Sequence, residues 1–151
     1  MTRMWSHAPD EYVCPLCLAE DTTDEQPVIV LRRYEHLIVK MQRYWRPGCA
    51  GGAFVFPLEH YENIFDLPAE LGDELQHAIR DVAVAMKLAY ACDGVSVRQN
   101  NEPAGGQEIW HYHVHVFPRS AGQVLDGTEW FLADADEMRR LADQLNTAWP
   151  S

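Results

Sequence analysis

The chain has no apolar run approaching 18 residues, and its opening, MTRMWSHAPDEY, carries no hydrophobic stretch of the kind that directs secretion. A cytoplasmic protein is expected, neither exported nor membrane-spanning. Basic residues are scarce: 12 Lys and Arg stand against 23 Asp and Glu, a formal net charge of −11. That balance argues against broad electrostatic binding to nucleic acid. Cysteine is scarce as well, with four in 151 residues, and only Cys14 and Cys17 fall at a recognisable spacing, so there is no disulfide framework. Internal repeats and low-complexity segments are absent. A length of 151 residues with 47% apolar content suits one domain, residues 1–151, and is too short for two comfortable ones.

The basic charge that is present is clustered. Arg32, Arg33, Lys40, Arg43 and Arg46 are five of the 12 basic residues, interleaved with Tyr34, Tyr44 and Trp45. A small anionic ligand can find local complementarity there despite the overall repulsion; a solvated strand pair with surface charges is the plainer alternative.

The segment VIVLRRYEHLIVKMQRYW reads as two antiparallel strands, 28–31 and 37–41, joined by a short turn. RPGCAGG is a loop and AFVFP a third strand. From Asp66 the apolar period lengthens to 3.6, with Leu71, Leu75, Ile79, Val82 and Met86 on one stripe, Pro68 in the first turn and Gly94 just past the end. This predicts a helix over 67–92. VSVRQ is a fourth strand, NNEPAGGQ a glycine-containing loop and IWHYHVHVF a fifth strand, and a last helix starts at Asp134 or Asp136 with Met138, Leu141 and Leu145 inward. Antiparallel neighbours with inserted helices predict an α+β fold.

In HYHVHVFPR, residues 111–119, histidine recurs at every second position. The intervening Tyr112, Val114 and Val116 are aromatic or β-branched, as in a half-buried strand, so His111, His113 and His115 share one face and can address one bound object. Three ligands to one catalytic metal, or a nucleophile with its supports, both fit that face. The loop before it adds Gly105 and Gly106, which permit a turn with N–H groups aimed at an anion, and the amide of Gln107.

Cys14-Pro-Leu-Cys17 precedes every strand and is followed by an acidic loop, whereas a redox dithiol would follow a strand and open a helix. Two thiolates on a tight turn make half of a zinc site, which needs two further nitrogen or sulfur ligands. The candidates are the seven histidines, 7, 36, 60, 77, 111, 113 and 115. His60, after a strand and a proline in FPLEHYEN, is the best placed third ligand.

NNEPAGGQEIWHYHVHVFPR resembles the signature of the histidine triad (HIT) superfamily, three histidines alternating with apolar residues behind an Asn, a Gly-rich turn and a Gln. Asn100, Gly106, Gln107, Pro118 and Arg119 match beside the triad. FVFPLEHYENIFDL is similar to the strand-Pro-x-x-His segment of that superfamily, and CPLC to its zinc-bearing Hint/Fhit-like branch. The resemblance spans roughly residues 12 to 120. It implies an α+β, HIT-like fold with a five-stranded antiparallel sheet and a homodimer; residues 121–151, outside the resemblance, are expected as a C-terminal helical extension beside the one long helix. It implies a structural zinc ion held by Cys14, Cys17, His60 and His111, the cysteines coming from segment 10–20. The implied activity is cleavage at the α-phosphorus of a nucleoside phosphoramidate or dinucleoside polyphosphate through a covalent nucleotidyl-histidine. His113 would be the nucleophile; His115, Asn100, Gln107 and the amides near Gly106 would hold the non-bridging oxygens, and Arg119 distal phosphates. A metallohydrolase with a catalytic histidine-bound metal and a nucleotide-binding module with little catalysis are the alternatives. Two departures stand out. KMQRYWRPG has no carboxylate where the superfamily commonly grips the ribose hydroxyls, and Glu108 stands where Ser or Thr is common.

Overall fold

The structure is a computed structural model that describes residues 4–18 and 25–151; residues 19 and 20 of the expected zinc-binding segment and most of the acidic loop lie outside it. Five strands form one antiparallel sheet in the order β1-β2-β4-β6-β5. These are β1 (Val30–Arg33), β2 (Leu37–Met41), β4 (Ala53–Pro57), β5 (Gly94–Gln99) and β6 (Val114–Arg119). The α+β expectation therefore holds. A two-stranded ribbon that sequence reading missed joins β3 (Tyr44–Trp45) to β7 (Phe131–Leu132). Two residues per strand are too few to leave a periodic pattern.

Strict alternation gives the sheet two unlike faces. Leu37, Val39, Ala53, Val55, Val114 and Val116 point into the main core. There they meet α1 (Gly72–Tyr90) through Leu75, Ala78, Val82, Ala85 and Met86, and α2 (Ala135–Ala148) through Met138, Leu141 and Leu145. Burying such side chains contributes about 1.5–3 kcal/mol each. The opposite face carries Ile38, Lys40, Phe54, Phe56, His115 and Arg98. In register, Lys40, Phe54, His115 and Arg98 form one row across four strands. Segment 12–16 packs over part of this face, where Cys14 and Leu16 join Ile38 and Phe56 in a separate apolar cluster.

Boundaries moved in three places. The long helix is preceded by a 3-10 turn, Ala69–Leu71, behind an extended Pro68, and it ends on Ala91 in the left-handed region (φ 50°), while Gly94 opens β5. β1 starts two residues late, with a register shift between Val30 and Arg32. The strand expected over 109–117 starts only at Val114, because its pairing with β4 stops at Val55. His111 and His113 therefore precede the strand, on extended chain tied back by the Tyr112 N–H, which donates to the Tyr61 carbonyl at 2.6 Å.

At the other end, Asp134 is the residue that caps α2, accepting the Glu137 N–H at 3.0 Å. The C-terminal thirty residues are part of the core, since α2 packs on both α1 and β1. Among the described residues, no helix is long and apolar enough to cross a membrane.

Candidate functional site

The three histidines stay on one face although two of them lie outside the strand. Phe54 meets the rings of His113 and His115 edge-on, with centroids 5.2 and 4.9 Å away, and Phe56 meets His111 at 5.5 Å. Each imidazole is then committed by a different partner.

His111 points toward the Cys14–Cys17 turn. Its Nδ1 lies 3.4 Å from each cysteine Sγ, and the Cys17 Sγ lies 3.3 Å from the His60 Nδ1. These four ligand atoms fall within 4.8 Å of one another, and this is the metal-competent group found among the described residues; His113 and His115 are not in it. A tetrahedral zinc with bonds of about 2.3 Å to sulfur and 2.0–2.1 Å to nitrogen has S···N edges of roughly 3.6 Å. The four side chains therefore fit such an ion. The far nitrogen of His111, Nε2, lies 2.9 Å from the Pro57 carbonyl, to which an N–H there donates. That bond fixes the ring with Nδ1 bare toward the thiols, the outer support that metal-binding histidines generally have. Burial pushes His111 down to about 4, so the ring stays neutral. Burial and the Cys14 neighbour push the Cys17 thiol up to about 11, so a cation binding here displaces protons.

His113 turns away from this cluster. Its Nδ1 lies 2.6 Å from the His111 carbonyl oxygen, so the proton sits on Nδ1 and the lone pair on Nε2. Burial lowers its basicity against the opposing effects of that hydrogen bond and of the Glu108 charge. His115 is held in the opposite sense, since the Gln42 Nε2 donates to its Nδ1 at 2.6 Å, leaving a proton on Nε2. Burial first, then the charges of His113, Arg98 and Arg46, push His115 down to about 3. One ring thus offers a lone pair and its neighbour an N–H donor, with centroids 5.0 Å apart.

Both rings line a cleft of about 670 Å³. Its apolar lining includes Pro15, Leu16, Val28 and Ile109; Lys40, Arg43, Arg46 and Arg98 bring positive charge, and Glu108 adds a carboxylate. Three members of the basic cluster noted in the sequence thus reach the cleft, whereas Arg32 stacks on Trp149, 4.9 Å from the ring centroid.

A family model described as the HIT domain matches residues 28–122. The chain belongs to the HIT family. An uncharacterised HIT-like protein of Methanocaldococcus jannaschii is 32% identical over 117 residues, 76% of this chain and 88% of its own. The adenosine 5'-monophosphoramidase of Saccharomyces cerevisiae is 26% identical over 118 residues, 78% of this chain and 70% of its own. A Bacillus subtilis relative is 33% identical over 69 residues, and the match spans about half of each chain, 46% of this one and 48% of the other. Among solved structures, a zinc-bound histidine triad family protein of Mycobacterium smegmatis superposes with a TM-score of 0.68 and 26% identity over 81% of this chain and 84% of its own. A HIT-like protein of Bartonella henselae gives 0.73 and 27% over 81% and 87%.

Within this HIT domain the structure does not bring every expected site residue to the cleft. Asn100 and Gly106 line it, with the Asn100 Nδ2 donating to the Gly106 carbonyl at 3.3 Å. Gln107 does not. Its Nε2 donates to the Glu62 and Ile109 carbonyls at 2.6 and 3.0 Å, and its Oε1 accepts the Glu102 N–H at 2.9 Å. With both ends of the amide engaged, Gln107 shapes the loop and offers no phosphate donor. The N–H groups of Gly105 and Gly106 are likewise used inside the turn, on the Glu102 and Pro103 carbonyls. Arg119 is remote too, its guanidinium holding Gln123 and the Ser96 hydroxyl at 3.0–3.2 Å.

Gln42 was missed as a site residue, and it carried no sequence signal beyond following the second strand. Trp130, from the C-terminal segment, lines the cleft. The Arg46 Nη1 donates to the Leu125 and Thr128 carbonyls at 3.2 and 2.8 Å and so ties that segment down. Its guanidinium then stacks 4.6 Å from the Trp130 ring, which stands 6.3 Å from His115.

Proposed function

We propose that this HIT-family chain is a nucleotide hydrolase or nucleotidyltransferase acting at the α-phosphorus of a nucleoside phosphoramidate or dinucleoside polyphosphate. The observation that carries the reading is the 2.6 Å bond from His113 Nδ1 to the His111 carbonyl, which leaves Nε2 as an unprotonated nucleophile in the cleft. Attack by Nε2 forms a P–N bond as the bond from phosphorus to the leaving group breaks, the leaving group departing with the electron pair and, when it is an amine, taking up a proton from solvent. Water or another acceptor then attacks phosphorus and gives its proton to solvent, the P–N bond breaks with its electron pair returning to Nε2, and neutral His113 is restored. The His115 Nε2–H and the Asn100 amide would serve as donors to the non-bridging oxygens. Similarity to the yeast adenosine 5'-monophosphoramidase supports a nucleotide substrate.

Cys14, Cys17, His60 and His111 would hold zinc, as the spacing of their ligand atoms supports. With four such side chains around it, an ion held there would serve structure, joining segment 14–17 to the histidine segment. A catalytic-metal reading draws no support from this geometry, since His113 and His115 stand apart from the cluster. A binding-only reading is favoured by Glu108, whose carboxylate on the cleft wall opposes phosphate. Assay of a phosphoramidate and a dinucleoside polyphosphate separates the two, because binding without turnover overturns the enzyme reading.

We also propose a homodimer through the free edge of β5. Beside that edge, Val97 and Leu88 are 52% and 68% exposed and border a shallow groove with Ile79 and Val84 of α1. An uncovered strand edge pairs readily with its own copy, which would bury this patch. A monomer at micromolar concentration in light scattering would contradict it.

A further inference from the structure

Gln42 directly follows β2 and lines the cleft, is 3% exposed, and anchors its backbone by donating its N–H to the Gly52 carbonyl at 2.9 Å. Its side chain reaches a histidine two strands away, since β4 lies between β2 and β6. The crossing is possible because the residue before β4 is glycine. A Cβ on Gly52 would stand 2.5 Å from the Gln42 Oε1 and 3.2 Å from the Phe117 Cβ, so any side chain there forces the amide aside. Through this gap Nε2 comes within 2.6 Å of the His115 Nδ1.

We propose that Gln42 is a positioning residue that, reaching past Gly52, fixes His115 as the neutral Nε2–H tautomer and aims that N–H at a phosphoryl oxygen in the cleft. An amide nitrogen only donates, so the ring nitrogen facing it has to accept. The proton of the neutral ring is then confined to Nε2. His113 and His115 are thus held in opposite tautomers, one by a carbonyl that accepts and the other by an amide that donates.

The groups facing His115 act in the same sense. Arg98 from β5, Arg46 beyond β3 and His113 before β6 disfavour a positive charge on the ring, and Lys40 lies in the same cross-strand row, while Glu108 is on the cleft wall. Neutrality and tautomer are therefore set separately, neutrality by burial and cationic neighbours, the tautomer by Gln42. Only the assignment of the N–H to a phosphoryl oxygen rests on the proposed function.

The test is long-range proton–nitrogen NMR on protein labelled in histidine rings, which reads each tautomer without any turnover. Wild-type His115 is expected as Nε2–H and His113 as Nδ1–H. Gln42→Leu removes the donor at similar volume and is expected to move His115 toward a tautomer mixture with His113 unchanged. Gly52→Ala, which displaces the amide and leaves Gln42 in the chain, is expected to act likewise. Gln42→Glu sets an acceptor against Nδ1 and is expected to introduce a His115 ionisation in the neutral range, seen in NMR and in the pH–rate profile.

In turnover, Gln42→Leu is expected to lower kcat by about ten- to a hundredfold with KM within about twofold, as for a misdirected catalytic tautomer. Wild-type His115 protonated on Nδ1 would overturn the proposal. So would His115 signals that stay unmoved in all three variants, whatever their stability. Absence of turnover in wild type with the expected tautomers would defeat the proposed reaction and leave this assignment standing.

Discussion

The imidazole Nδ1 of His113 and the carbonyl oxygen of His111, 2.6 Å apart, join the ring that faces the cysteine thiols and the ring proposed as nucleophile within one three-residue segment. The backbone of the residue whose ring faces the thiols orients the ring proposed to attack phosphorus. Replacing His113 with Ala should therefore lower kcat/KM by about a thousandfold or more while one zinc per chain is retained. Elemental analysis beside steady-state kinetics checks this, and loss of metal together with activity would place His113 in the wrong role.

The Cys17 Sγ lies 3.3–3.4 Å from both histidine nitrogens of the cluster. Cys17→Ser, or exhaustive chelation, should release the ion and lower Tm by about 10 °C or more, given several kcal/mol of lost metal-linked stability in a domain of this size. Calorimetry with and without added zinc reads the effect, and an unchanged Tm would mean that no structural ion binds.

Glu62 ties the N-terminal segment down. Its carboxylate accepts from the Ser6 hydroxyl at 2.7 Å and from the His7 and Ala8 N–H groups at 2.8 and 3.2 Å. Burial alone would raise its pKa, but these hydrogen bonds outweigh it and hold the carboxyl below its ordinary value. With the folded pKa depressed, the contribution is present above the unfolded pKa of about 4.3 and is lost as pH falls through the folded value. Glu62→Gln should cost about 1–3 kcal/mol at neutral pH, with the gap to wild type narrowing below pH 4. Denaturant melts across pH test this, and a gap that widens in acid would contradict it.

Much of the site could be read from the chain because alternation puts His111, His113 and His115 on one face whether or not the backbone is formally a strand. The resemblance added the ligand set, and the structure brings Cys14, Cys17, His60 and His111 together as it implied. The sheet and both helices were legible for the same reason, since periods of 2 and 3.6 separate cleanly in this sequence. What escaped depends on long-range packing that no local pattern encodes. Gln107 matches the motif, yet it turns inward to three backbone partners. Arg119 matches, yet its guanidinium is taken by Gln123 and Ser96. Gln42 enters the site only through the gap at Gly52, which brings the end of β2 within reach of β6.

Trp130 offers a flat apolar wall beside His115, with Arg46 stacked on its ring. Trp130→Ala should weaken nucleotide binding by about tenfold, within the 1–3 kcal/mol typical of base–aromatic stacking, with little change in Tm because the ring is 44% exposed. Calorimetric titration with a non-hydrolysable analogue measures this, and unaltered affinity would remove Trp130 from the ligand site.

The most direct test of the central claim is rapid mixing with a nucleoside phosphoramidate, a quench in alkaline denaturant within milliseconds, and mass mapping of the digest. A nucleoside monophosphate adduct on the peptide bearing His113, absent from His113→Ala and from unmixed enzyme, is the predicted result. Steady turnover with no adduct on any histidine, or an adduct at another residue, would contradict it.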